Sequence, residues 1–419
     1  MAGKLWLETS QLTRETALTP ALYKTRIRDV QTELGRRGLA CMVVIKPEHV
    51  RYLSGFWGYS TRPEYASPRR LVALVVPASG EPTLIVPKIE FNFASRRTWL
   101  RDVRHHVEWA PRPGEVFGGL ELLDVVLKEK DLTRGRVGAE LGFISARLFQ
   151  ILSETFSQMA FVEASPVIEA LRVIKSPEEI DIMRISGRMA VAELQVELGA
   201  IRAGEREYEI AQRGRDEATR LAAEYIIAHE NDPMHIEHPL NDGHQILTSN
   251  ERLDMVHALA STRMLSEGDI VLLDFCRIPQ LYGYRIGFSR NAALRELSAQ
   301  EQEMYDIVNY SYDAALAVLK PGMPAEGPDL VARGILEKEG LVDSFVHRTG
   351  RGVGLEAVEG PEIGAGDKTI LKPGMVVTVE PSIYYRGFAV HVEDTYLITH
   401  GGFECLTECP REIRVIPAR

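Results

Sequence analysis

Cysteine is scarce in this chain: four residues in 419, Cys41, Cys276, Cys405 and Cys409, with no C-x-x-C pair among them. The pairs expected of a zinc clip or a thioredoxin-like redox centre are therefore missing, although Cys405 and Cys409 could meet on a helix. Long apolar runs are missing too. The opening MAGKLWLETSQLTRET lacks the uninterrupted apolar core of a secretory signal. No later stretch approaches the roughly 20 apolar residues that cross a bilayer, so a cytoplasmic protein without a membrane partner is expected. Basic runs are absent: the formal net charge is −10 and the acidic residues are scattered, which argues against a nucleic-acid partner. No G-x-S-x-G elbow supports a serine triad, and no HExxH motif places two histidines on a helix. The segment GRGVG follows no βα pattern with a ribose-binding acid, so no nucleotide or other cofactor is expected. Low-complexity tracts and solenoid-length repeats are also lacking.

What is present suits an ordinary globular protein, with 45% hydrophobic and 26% charged residues. The length exceeds what one hydrophobic core usually serves, which predicts two domains. From about residue 20 to 170, helical and strand patterns alternate. TRIRDVQTELGRRG is an amphipathic helix stopped by Gly38, LACMVVI is a buried strand, and RLVALVV and PTLIVP form a hairpin around PASGE. LELLDVVLKEK and ARLFQILSETF add helices, which makes residues 1–170 an α/β domain. A second domain, residues 171–419, opens where Ser176 can cap a helix, Pro177 fits its first position and Glu179 supplies the capping-box acid. DIVLLDF, MVVTVEP and VEDTYLIT then alternate with the helical AQEQEMYDIVNYSYDAALAVL and GPDLVARGILEKEG, an α+β pattern of antiparallel hairpins.

Five segments in order carry a resemblance: IKSPEEIDIMR, GDIVLLDF with GYRIGFSRN, HRTGRGVGLEAVEGPEI, LKPGMVVTVEPSIY and HVEDTYLIT. Across essentially the whole chain they resemble the pita-bread superfamily of Xaa-Pro dipeptidase, aminopeptidase P, methionine aminopeptidase and creatinase. That resemblance implies a creatinase-like N-terminal domain followed by a pita-bread catalytic domain. In the metallopeptidases of this group, two aspartates, one histidine and two glutamates hold two divalent metals. Carried onto this sequence, the first aspartate falls on Asp274 and the glutamates on Glu380 and Glu393. The second aspartate falls on Gly287, after Ile286, and the histidine falls on Arg351, which cannot act as a ligand. A further histidine that assists the peptidases falls on Val358.

Metal-free creatinase is the nearest precedent for so incomplete a set, and it implies a metal-independent hydrolase cleaving a C–N bond, of amidine or amide type, in a small polar substrate. Its central histidine has the spacing of His257, twelve residues before Asp269, so His257 is the expected acid/base and Glu380 its catalytic partner. Arg351, Asp274, Glu393, His347 and Tyr284 are expected to bind substrate, with no metal. Ser289 stands where creatinase has an additional substrate-binding glutamate. An arginine that creatinase lends across its dimer falls on Arg70, which implies a homodimer with shared sites.

Two alternatives stay open. One is a metallo Xaa-Pro dipeptidase-like enzyme with an altered site built from Asp274, Glu380, Glu393 and a histidine of the 229–244 segment, which holds His229, His235, His238 and His244. The other is a non-catalytic binding module. For Tyr282 and Tyr284, flanking Gly283, packing and substrate contact are equally open.

Overall fold

The computed structural model describes residues 18–62, 67–229, 237–241, 243–275, 280–385 and 387–417. The chain divides into two compact units, with Leu18–Arg172 in one and the described residues from Val173 onward in the other. No helix among the described residues is long and apolar enough to cross a membrane.

In the first unit, Thr19 accepts a hydrogen bond from Leu22 N and Pro20 opens α1 (Pro20–Arg37); Gly38 closes it at φ 64°, a conformation glycine adopts freely. The strands β1 (Cys41–Val44), β2 (Ala73–Pro77), β3 (Thr83–Pro87), β4 (Val103–His106), β5 (Gly135–Ala139) and β6 (Met159–Glu163) form one mixed sheet in the order β4-β3-β2-β1-β5-β6. The expected hairpin is the antiparallel β2–β3 pair, while β1–β5 and β5–β6 run parallel. Helices α2 (Pro47–Ser54), α3 (Lys88–Arg97), α4 (Gly119–Glu129), α5 (Ala146–Thr155) and α6 (Ser165–Val173) accompany it. Val43, Val75, Ile85, Leu123, Val126 and Leu152 share its core, and each such buried side chain contributes about 1.5–3 kcal/mol.

In the second unit, α7 (Pro177–Ala200) starts with the full capping box, Ser176 and Glu179 each bonding the other's backbone. After α8 (Glu207–His229) come β7 (Ile246–Ser249), β8 (Ile270–Asp274), the short hairpin β9 (Gln280–Leu281) and β10 (Tyr284–Arg285), and β11 (Ser289–Ala293). Two helices, α9 (Ala299–Val318) and α10 (Gly327–Lys338), precede the strands β12 (Gly350–Gly352), β13 (Glu359–Ile363) and β14 (Val376–Val379). The hairpin β15 (Ser382–Tyr385) and β16 (Phe388–His391) leads to β17 (Asp394–Ile398), β18 (Phe403–Cys405) and β19 (Arg414–Val415). Besides the two hairpins, two larger sheets result, ordered β19-β11-β8-β7 and β13-β12-β14-β17-β18. The pairs β8–β11 and β14–β17 are antiparallel, as the sequence pattern predicts, whereas β11–β19 is parallel. Cys405 ends a strand, so it does not share a helix with Cys409; Cys276 lies outside the described residues.

One contact between the two sheets matters for the site. Ser289, the first residue of β11, exchanges backbone hydrogen bonds with Glu393, just ahead of β17, at 3.1 and 3.2 Å. Ser289 is also the register partner of Asp274 at the end of β8. Residues from both sheets are therefore brought to one seam.

Candidate active site

The seam collects side chains by strand alternation, which sets residues two apart on the same side. Thr378 and Glu380 follow this spacing at the end of β14, and His391 and Glu393 follow it between β16 and β17. Asp274 closes β8, Arg351 sits in the middle of β12, and His347 lies just before that strand. Asp274, Arg351, Glu380, His391 and Glu393 are all buried, and His347 is partly so.

Arg351 is the hub. Its Nη1 donates to Glu380 Oε1, to Glu393 Oε1 at 2.8 Å and to Thr378 Oγ1 at 3.0 Å, while Nε donates to Ala357 O at 2.9 Å. Thr378 Oγ1 donates in turn to Glu380 Oε1 at 3.0 Å. The other carboxylate oxygen of Glu380 lies 3.5 Å from His391 Nε2. His391 Nδ1 is 3.1 Å from Tyr384 Oη and 3.8 Å from Asp274 Oδ2. His347 Nδ1 meets Arg348 O at 2.7 Å and its Nε2 meets Ser382 Oγ at 2.6 Å.

These neighbours separate the acidities. Burial alone would raise Glu380, yet the Arg351 charge and the two imidazoles outweigh it and hold its carboxyl well below the usual range. Burial pushes Glu393 up to about 8, and the adjacent Glu380 charge adds to that. His347 is lowered to about 4, chiefly by burial, so its imidazole is neutral at physiological pH. Burial also opposes protonation of His391, but Glu380, Asp274 and Glu393 overcome it and raise its pKa.

The five-position, two-metal arrangement does not fit these residues. Arg351 places a permanent cation on both glutamates that would be ligands. Gly287 supplies no carboxylate, and the space for one is taken. A Cβ built there would lie 2.1 Å from Glu393 Oε1 and 2.7 Å from Thr378 Cγ2. Gly287→Ala is accordingly expected to cost about 1–3 kcal/mol through overpacking. Urea denaturation beside the parent protein measures this, and equal stability would contradict the packing.

The remaining expected site residues lie elsewhere or are otherwise engaged. His257 is exposed on a turn after the short 3₁₀ segment Asn250–Arg252 and makes no hydrogen bond with a described residue. Tyr284 is buried, and its hydroxyl donates to Glu179 Oε1 at 2.7 Å, which ties it to the start of α7. Arg70, in the first unit, bonds Glu108 and lies over the Trp109 ring at 5.2 Å. Ser289 donates its hydroxyl to His391 O at 3.0 Å, so it supports the site without facing it. Of the 229–244 histidines, His229 stacks on Tyr225, His238 and His244 are exposed, and His235 is outside the described residues.

Two participants escaped the sequence reading, Thr378 and His391. Their signal was available: each stands two residues before a glutamate already singled out, on an extended strand. Among the described residues, one group of three metal-capable side chains has donor atoms within 4.8 Å of one another, namely His347, Glu380 and His391.

Comparison with known proteins bears on this geometry. The sequence pattern of Metallopeptidase family M24 matches residues 181–400, and that of the Creatinase/Prolidase N-terminal domain matches residues 26–174. The Xaa-Pro dipeptidase of Pyrococcus furiosus is 30% identical over 392 residues, covering 93% of this chain and 99% of that protein. The Xaa-Pro dipeptidase of Lactobacillus helveticus is 29% identical over 88% of this chain and 93% of its own length. The crystal structure of recombinant prolidase from Thermococcus sibiricus superposes with a TM-score of 0.79 at 26% identity, covering 94% and 99% of the two chains. These relatives overturn the expectation of a metal-independent, creatinase-like C–N hydrolase, because near-full-length similarity runs to Xaa-Pro dipeptidases of a metallopeptidase family. The acid/base role given to His257 belonged to that reaction and goes with it. The coarser expectation, a hydrolase, stands.

Proposed function

Because the chain belongs to Metallopeptidase family M24, we propose that it hydrolyses the peptide bond of short peptides, with Xaa-Pro dipeptides as the first substrate class. The observation that carries this reading is the 30% identity to an Xaa-Pro dipeptidase over nearly the whole of both chains. The site supplies groups suited to moving a proton. Glu380 and His391 form a carboxylate–imidazole pair able to hold a proton when no ion bridges them, beside the neutral His347. Arg351 keeps Glu380 ionised and oriented. Because the five-position metal set does not fit, no step is routed through it.

The purified chain, supplied separately with Mn²⁺, Zn²⁺ and Co²⁺, is expected to release free proline from Xaa-Pro dipeptides such as Ala-Pro and Leu-Pro. Absence of turnover across a dipeptide panel in all three metals would sink the proposal.

A homodimer with shared sites belongs to the same reading. It is supported by the Arg70 position in the resemblance and by the 21% exposure of that side chain. Sedimentation velocity at micromolar concentration should show a dimer, and a monomer throughout would remove it.

A further inference from the structure

We infer that His347, Glu380 and His391 form a site for a single divalent cation of the zinc class, made by a ligand set other than the five positions of the two-metal arrangement. Two imidazoles and one carboxylate are a known catalytic zinc set, which leaves a fourth position for water or substrate. The donor types also select the ion: neutral nitrogen favours Zn²⁺, Co²⁺ or Fe²⁺ over the hard cations Mg²⁺ and Ca²⁺.

The spacing agrees with that reading. Two ligands at zinc-like bond lengths of about 2.0–2.1 Å in a tetrahedron lie about 3.3 Å apart. His391 Nε2 and Glu380 Oε2 are 3.5 Å apart, so the pair needs almost no movement to share one ion.

Each ligand is also turned the right way by what holds its far end. His347 Nδ1 donates to Arg348 O, which leaves the lone pair on Nε2; the Ser382 hydroxyl donates there and can rotate away. His391 is anchored at Nδ1 by Tyr384 Oη, with Asp274 Oδ2 beyond, and its backbone N–H donates to Asn291 Oδ1. Its Nε2 is buried and, among the described residues, has only the long 3.5 Å approach to Glu380 Oε2, a weak partnership that a cation between the two would replace. Glu380 Oε1 is committed to Arg351 and Thr378, so Oε2 is the oxygen turned toward His391. Arg351 thus blocks the two-metal arrangement while fixing the carboxylate of the single-metal one.

As the centre of a peptidase this site rests on the function proposed above, but its existence is testable without any substrate. The full chain, dialysed against chelator, is titrated with Co²⁺ alone and followed by its visible d–d absorption, with calorimetry of Zn²⁺ as a second readout. One molar equivalent with tetrahedral-type bands is expected. His391→Ala and His347→Ala should each weaken binding by more than about 100-fold, beyond the 10–100-fold cost of losing an outer hydrogen bond. Glu393→Gln should leave the stoichiometry at one equivalent, since Glu393 is a ligand only in the five-position set. His347 is partly exposed at the edge of the cluster, so His347→Ala gives a folded test even if His391→Ala does not fold. No saturable binding, two equivalents, or binding that survives the histidine changes would each overturn the inference. One equivalent bound with no peptide turnover would uphold the site and remove the peptidase reading.

Discussion

Arg351→Ala is expected to destabilise the protein by about 3–5 kcal/mol at pH 7, the usual cost of stripping one partner from a buried ion pair. The guanidinium answers two buried carboxylates, so its loss leaves Glu380 charged against Glu393 with only the imidazoles nearby. The effect should depend on pH in a definite direction. Glu380 has a lowered folded-state pKa, so it contributes stability above the unfolded value of 4.5 that is lost as pH falls through the folded one. Without Arg351 that contribution disappears. The deficit is therefore complete at pH 7 and shrinks as the pH drops below 4.5. Above about 8, Glu393 gives up its proton as well, and the deficit should widen. Urea denaturation at pH 4, 7 and 9 measures all three points. A deficit that does not vary with pH would mean that Arg351 acts through packing alone. Arg351→Lys should fall between parent and alanine variant, because it keeps the charge and loses the fork that reaches Glu393, Thr378 and Ala357 together.

Asp394→Ala should be comparably severe, again about 3–5 kcal/mol, for a related reason. Arg290 is buried, and its Nη2 donates to Asp394 Oδ1 at 2.9 Å. Asp394 also accepts from Thr407 at 2.8 Å and from Tyr312 at 2.9 Å, so alanine leaves one cation without its counter-charge and removes an acceptor from two hydroxyls, of which Tyr312 keeps its bond to Tyr396. The damage should reach the site, because Arg290 Nη1 donates to the carbonyls of Ser289 and Glu393, which form the seam between the sheets. Turnover should therefore fall more than the fraction unfolded explains. The double variant Asp394→Ala with Arg290→Met removes the stranded charge but also the bonds from Arg290 to the carbonyls of Ser289, Glu393, Cys409 and Pro410, so it should be less destabilised than the two single losses summed. If the two single effects simply add in the double-mutant cycle, the pair is not the source of the stability.

The sequence was most informative where local rules coincide with the fold. Ser176, Pro177 and Glu179 specify the start of α7 by themselves, and Gly38 ends α1 by backbone conformation alone. The β2–β3 hairpin and the β8 and β14 strands are equally plain, because alternation and turn residues act over short distances. The cluster was half legible. Asp274, Arg351, Glu380 and Glu393 were reached through motif positions, and the structure brings Arg351 onto both glutamates. His391 matches no motif position, and it is the register of β16 that turns it toward Glu380. His257 was chosen on spacing along the chain. Spacing says nothing about where a turn between strands finally lies, and this one leaves the imidazole exposed.

The close approach of Glu393 to Gly287 has a consequence for inheritance. An aspartate at 287 would require Glu393 to swing aside, and Glu393 is fastened by the guanidinium at 351. A histidine at 351 would in turn release Glu393 into a space that has no second aspartate to share an ion with. Positions 287 and 351 are therefore locked to each other: each departure makes the other harder to reverse alone, and the way back to a five-ligand centre requires both changes together.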